Sequence, residues 1–116
     1  MGRLSTHVLD TANGIPAAGV TIELYALKPE RVLLTSVVTN VDGRIDQSLL
    51  SENEMQSGCY EFCFHIGDYF KNRNMLGDKM AFLDVVPVRF RILNTKEHYH
   101  VPLLVSPWSY STYRGS

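Results

Sequence analysis

The sequence has few of the features that would assign it quickly, and each shortage excludes something. Its two cysteines, Cys59 and Cys63, are too few for a disulfide framework. In an extended strand, positions i and i+4 lie roughly 13 Å apart, beyond the reach of a disulfide, so two reduced thiols packed as small side chains are expected. Charge of one sign is also missing: 11 Lys and Arg stand against 12 Asp and Glu, a net charge of −1, with no run of consecutive cations. That balance argues against an electrostatic footprint for nucleic acid or an anionic membrane. Long apolar runs are absent as well. Val101 to Val105 is typical of the longest, where a membrane-spanning helix needs about 20 residues. The opening Met1 to His7 carries one basic residue and no apolar stretch, so no secretory signal is read and a cytoplasmic address is expected. No G-x-S-x-G elbow, G-x-G-x-x-G loop, P-loop, C-x-x-C or H-E-x-x-H is present, which removes the strong nucleotide, nucleophile-elbow and zinc signatures. Any chemistry must come from scattered residues.

What the chain does contain is the composition of one ordinary soluble domain: 116 residues, 45% apolar and 20% charged. A chain of this length buries roughly two thirds of its unfolded surface and needs no metal or disulfide to fold. No repeat, low-complexity tract or linker divides it, so a single domain over residues 1–116 is expected. Apolar periodicity is mostly two. Val20, Ile22, Leu24 and Ala26 alternate with Thr21, Glu23 and Tyr25. Tyr60, Phe62, Phe64 and Ile66 alternate with Cys59, Glu61, Cys63 and His65, and Val88, Phe90 and Ile92 with Arg89 and Arg91. These are half-buried strands, one face inward and the other toward solvent or a partner. Further strands are read at Leu4 to Leu9, Arg31 to Asn40, Glu97 to Ser106 and Tyr110 to Arg114. Asn13-Gly14, Asp42-Gly43 and Pro107 mark reversals, and Ser51 to Ser57 reads as irregular. One short helix is predicted, capped by Asp68 and ending before Gly77. The sum is an all-β, two-sheet β-sandwich of seven to eight strands with one short helix.

His98 and His100 flank Tyr99, and at i and i+2 of a strand both imidazoles share a face, a pair able to transfer protons or bind a metal. An H-x-H pair alone more often decorates an exposed strand. His7 lies on the strand face opposite Leu4, Thr6 and Val8. Arg44 follows the Asp42-Gly43 turn, a common place for a solvated cation. His65 shares its face with two cysteines and Glu61 and is read as structural. Tyr113-Arg114-Gly115-Ser116 reads either as a frayed tail or as a segment that brings a terminal carboxylate to a site.

Taken together, five segments resemble the 5-hydroxyisourate hydrolases of the transthyretin-like family: Leu4-Ser5-Thr6-His7-Val8-Leu9-Asp10, Gly14-Ile15-Pro16-Ala17, Asp42-Gly43-Arg44, His98-Tyr99-His100-Val101-Pro102-Leu103-Leu104, and Ser109 to Ser116. The resemblance runs in order over nearly the whole chain. Its most specific element is the Tyr-Arg-Gly-Ser ending, since vertebrate transthyretins are similar only up to Tyr110-Ser111-Thr112. The resemblance implies a homotetrameric β-sandwich with sites in the channel between dimers. It also implies a pocket lined by His7, Arg44, His100 and Ser116, with Tyr113 contacting a purine-derived small molecule and no cofactor or metal. Residues 77–83 depart from the family pattern. In the implied hydrolysis of a ring amide, His7 and His100 handle water activation and proton delivery, and Arg44 orients the substrate and stabilises the oxyanion. Ser116 positions substrate or water. Two other chemical readings fit the same residues. One is a zinc hydrolase with His7, His98 and His100 as three nitrogen ligands, and the other is a small-ligand carrier without turnover. Tyr25, Trp108 and Tyr110 are candidate interface aromatics.

Overall fold

The computed structural model describes residues 2–74, 76–77 and 79–115. Two four-stranded sheets face each other, and their elements follow the sequence periodicity. The first sheet holds β1 (Arg3–Asp10), β2 (Ile15–Pro16), β7 (His98–Val105) and β8 (Tyr110–Thr112), in the order β2-β1-β7-β8. The second holds β3 (Thr21–Ala26), β4 (Val32–Val38), β5 (Gly58–His65) and β6 (Val85–Ile92), in the order β4-β3-β5-β6. Between β5 and β6 lies α1 (Ile66–Asn72), and a single 3-10 turn occupies Glu52–Glu54. The expected sandwich is therefore present. No helix among the described residues is long and apolar enough to cross a membrane.

Alternation decides which side chains fill the space between the sheets. Leu4 and Val8 of β1, Ile22 and Leu24 of β3, Phe62 and Phe64 of β5, Val86 and Ile92 of β6, and Leu103 and Val105 of β7 are all buried. Phe62 and Phe90 stack at 5.2 Å between centroids, and Phe62 meets Phe64 at 5.5 Å, which adds ring geometry to the area they remove from water. One pairing sets which outward-facing side chains meet: β1 and β7 run parallel, in register from Arg3 opposite His98 to Asp10 opposite Val105. Asp10 closes the far end of β1. It accepts backbone N–H bonds from Ala12 and Asn13 at 3.0 Å each and the Tyr69 hydroxyl at 2.7 Å, tying the strand to α1.

Three expectations change. First, the helix begins at Ile66 and its N-cap is His65. The cause is packing: Ile66 is fully buried and the Gly67 N–H donates to the Asp84 carbonyl at 2.9 Å. Asp68 instead sits in the first turn, where its charge suits the positive end of the helix. Second, the outward face of β5 is covered. Glu61 and Cys63 are each 4% exposed, because the Arg31 Nε–H donates to Glu61 Oε1 at 3.1 Å and the Arg89 Nε–H to Oε2 at 2.8 Å. The arginine stems lie over the strand. Third, Tyr25 is half-buried beneath the Arg31 guanidinium, 3.6 Å from its ring centroid, so it is not a bare interface aromatic. Cys59 and Cys63 are free thiols, as the spacing required.

Candidate active site

Partners in a parallel ladder project to the same side of the sheet. With Leu4, Thr6 and Val8 buried inward, Ser5 and His7 point outward, and so does His100, the register partner of Ser5. The His100 Nδ1 lies 2.8 Å from the Ser5 Oγ. Sequence spacing alone places His98 and His100 together, but it is His7, 93 positions from His100, that the parallel ladder brings alongside.

The Asp42-Gly43-Arg44 turn reaches the same place through an asparagine that carries no sequence signal of its own. Asn40 Oδ1 accepts the backbone N–H groups of Asp42 at 2.9 Å and Arg44 at 3.1 Å. Its own backbone N–H donates to the Arg44 carbonyl at 2.7 Å. The turn is then laced onto β1, because the Val8 N–H donates to the Gly43 carbonyl at 2.8 Å. Gly43 has φ +74°, and a Cβ at this position would run into the Val8 carbonyl oxygen, so only glycine permits this approach. His7 locks the turn from the other side. Its Nε2 lies 2.9 Å from the Asp42 carbonyl oxygen. A carbonyl only accepts, so that nitrogen carries the hydrogen.

Arg44 and Ser5 thereby border one hollow of about 370 Å³, between the N-terminal half of β1 and residues 44–49, which Arg3, Gln47 and one carboxylate, Asp46, also line; the Asp46 Oδ1 accepts the Asn40 side-chain amide at 2.8 Å. The electrostatics agree with this grouping. His100 is held below the ordinary imidazole pKa of 6.5, first by burial of its ring and then by unfavourable electrostatics with Arg44, His7 and Arg3. It is thus a neutral imidazole at physiological pH, in a region where positive charge gathers. Among the described residues no carboxylate pairs with Arg44 or His100, although Arg31, Arg73, Arg89 and Arg114 each have one. Such a site suits an electron-rich ligand and a transition state that gains negative charge.

The other predicted residues are placed differently. Gly115 returns to β7, its N–H donating to the His100 carbonyl at 2.7 Å. By the register that sets Ser111 against Leu104 and Gly115 against His100, Tyr113 falls opposite Pro102, the partner of His7. Tyr113 is exposed and borders a second cleft of about 240 Å³ shared with Arg89, Arg91 and Arg114, so within one chain it is not in the hollow that Arg44 and Ser5 line, nor are His7 and His100 among that hollow's lining. Ser116 lies outside the described residues. His98 is exposed, and its carbonyl accepts the Arg114 guanidinium at 3.1 Å. Among the described residues no three His, Cys, Asp or Glu side chains form a group able to hold a metal ion, so His7, His98 and His100 do not converge as three ligands. Ser5 and Asn40 are the positions that sequence reasoning missed. The only signal for Ser5 was its place two residues before His7 on an alternating strand.

The HIUase/Transthyretin family model matches residues 4–115. The chain belongs to the HIUase/Transthyretin family. A 5-hydroxyisourate hydrolase from Halalkalibacterium halodurans is 54% identical to this family member over 117 residues, covering 99% of the chain and 98% of the relative. A solved (S)-allantoin synthase matches with a TM-score of 0.92 and 48% identity over 99% of the chain, which spans 44% of the length of that protein. Transthyretin from Sparus aurata matches with a TM-score of 0.86 at 27% identity, covering 97% of the chain and 95% of that protein. The fold is thus shared by this chain and both solved structures, and its sequence identity is higher to the hydrolase than to the transthyretin.

Proposed function

We propose that this protein is an enzyme that hydrolyses 5-hydroxyisourate to 2-oxo-4-hydroxy-4-carboxy-5-ureidoimidazoline in urate degradation. The observation that carries the reading is the approach of the Asp42-Gly43-Arg44 turn to the sheet face that bears His7 and His100 in a chain 54% identical over 117 residues to a 5-hydroxyisourate hydrolase. Water adds to a ring carbonyl carbon, the carbonyl oxygen gains negative charge, and the C–N bond then breaks as the leaving nitrogen takes a proton. In this scheme His7 and His100 exchange the protons, and the Arg44 guanidinium holds the carbonyl and stabilises the oxyanion through its paired N–H donors. Ser116 positions substrate or water and Tyr113 contacts the ring. No step uses a metal or another cofactor.

Residues 1–116 act as one hydrolase domain in this reading, and four copies assemble as a homotetramer. The exposed Trp108 and Tyr110 at the β7–β8 turn support the assembly, since exposed aromatics favour burial against a partner. Because Tyr113 and the hollow lined by Arg44 and Ser5 lie apart within one chain, assembly is also a way for one site to draw on two chains. A cytoplasmic setting fits the two free thiols. The test is the ultraviolet decay of freshly generated 5-hydroxyisourate with and without the protein, in the presence of chelator, alongside analytical ultracentrifugation. Chelator-insensitive acceleration by a tetramer is expected. The absence of acceleration over the spontaneous decay would overturn the enzyme reading in favour of a ligand carrier.

A further inference from the structure

Ser5 has no part in the hydrolysis as His7, Arg44 and His100 carry it, yet it makes the closest side-chain contact of a proton-transfer residue. It stands 95 positions from His100, and the in-register parallel ladder sets the two side by side, with Oγ 2.8 Å from Nδ1. A second contact limits the ring from another direction. Gly115 packs so tightly on it that a Cβ there would come within 2.6 Å of the imidazole Cδ2 and 3.2 Å of Cγ. A neutral imidazole has one donor and one acceptor nitrogen, and the partner of one nitrogen decides what the other does. His100 is neutral because burial and unfavourable electrostatics with Arg44, His7 and Arg3 oppose its protonation, so its tautomer is a real variable. With Nδ1 engaged by Ser5 and the ring confined by Gly115, Nε2 is the nitrogen left for chemistry.

We propose that Ser5 is a positioning residue for the hydrolysis: its hydroxyl donates to Nδ1 of His100, which holds the ring in one orientation with its hydrogen on Nε2, and so makes Nε2 the nitrogen that exchanges a proton with substrate or water. The inference rests on the hydrolase reading for its catalytic consequence, but not for the ring geometry. A hydroxyl is what the position requires, whereas a methyl group leaves Nδ1 without its donor and lets the ring hydrogen sit on either nitrogen.

The test uses the full chain labelled with ¹⁵N, comparing Ser5→Ala, Ser5→Cys and Ser5→Thr. Long-range ¹H–¹⁵N spectra of the histidine side chains give the tautomer directly, and steady-state decay of 5-hydroxyisourate gives kcat and KM separately. The wild-type protein and Ser5→Thr are expected to show His100 in a single tautomer with matching kcat. Ser5→Ala is expected to show an averaged mixture and a kcat lower by about 10- to 100-fold, with KM little changed. Should Ser5→Ala fail to fold, Ser5→Cys, close in size and a weak hydrogen bonder, is expected to show the same losses. Unchanged His100 nitrogen shifts and wild-type kcat in the folded variant would overturn the proposal. If the wild-type protein does not hydrolyse the substrate at all, the functional reading fails, while the tautomer comparison still decides whether Ser5 controls the ring.

Discussion

The outer faces of the two sheets carry the same kinds of residue and use them in opposite ways. On the β4-β3-β5-β6 sheet, carboxylates and cations meet. Glu61 is bracketed by Arg31 and Arg89 at 3.1 and 2.8 Å, and the His65 Nε2 lies 2.8 Å from Glu23 Oε1. Glu61 is held below the usual carboxylate range chiefly by the Arg89 hydrogen bond, and Glu23 chiefly by the hydrogen bond to His65. On the β2-β1-β7-β8 sheet the imidazoles of His7 and His100 meet a backbone carbonyl and a hydroxyl, and among the described residues no carboxylate answers Arg44. Paired charges hold a structure together, whereas a cation such as Arg44, with no carboxylate in ion-pair contact among the described residues, is left to meet a ligand. The difference separates two histidines that composition cannot tell apart: His65 is paired with a carboxylate, whereas His100, in the proposed site, meets a hydroxyl.

Substitutions on the two faces break or sharpen this contrast, and the largest effect is expected at His100. His100→Gln removes a proton carrier and is expected to lower turnover about 10²- to 10⁴-fold while the circular dichroism spectrum and thermal midpoint stay close to those of the parent. Arg44→Ala comes next, with a loss of about 100-fold or more. Its fold should persist, because the turn is held by the Asn40 backbone and side chain and by Gly43, not by the guanidinium. Near-normal activity would remove Arg44 from the mechanism. Glu61→Gln, on the opposite face, should do the reverse. It leaves two arginines without their carboxylate and is expected to cost about 1–3 kcal/mol of stability, read by urea denaturation, with turnover per folded molecule unchanged.

A smaller effect concerns pH. Because burial and neighbouring cations lower the His100 pKa in the folded state, the unfolded chain binds this proton more readily between the depressed value and 6.5. His100 therefore contributes stability that is fully present above 6.5 and is lost as pH falls through its folded pKa. An NMR titration of the ring is expected to give a midpoint below 6.5. A midpoint at or above 6.5 would contradict the burial of the ring, the first cause of the lowered value, and the nearness of positive charge to it.

Much of the fold is legible in the sequence, because alternation in segments such as Val20 to Ala26 leaves a single way to bury the apolar face. The parallel alignment of β1 with β7 is not. It joins residues 95 apart, and nothing local in Leu4 to Leu9 specifies whether its neighbour runs parallel or antiparallel. Ser5 is invisible for that reason, as a serine on an exposed strand face acquires a role only once His100 is beside it. Asn40 escapes notice because its work is done on backbone N–H groups two and four residues onward, which strand periodicity does not register. Glu61 reads as solvent-facing because the arginines that cover it come from other elements. His7, Arg44 and His100 are identified from sequence only through family resemblance. The structure supplies the physical reason for their company: the turn laced onto β1, and the strand paired in register with it.

The most direct test of where the chemistry resides is the initial rate of 5-hydroxyisourate decay, measured in parallel for the wild-type protein, Arg44→Ala and His65→Gln. The wild-type protein is expected to accelerate decay, Arg44→Ala to lose the acceleration by about 100-fold or more, and His65→Gln to keep it. Equal losses in the two variants, or no acceleration by the wild-type protein, would contradict the assignment of chemistry to the β1–β7 face.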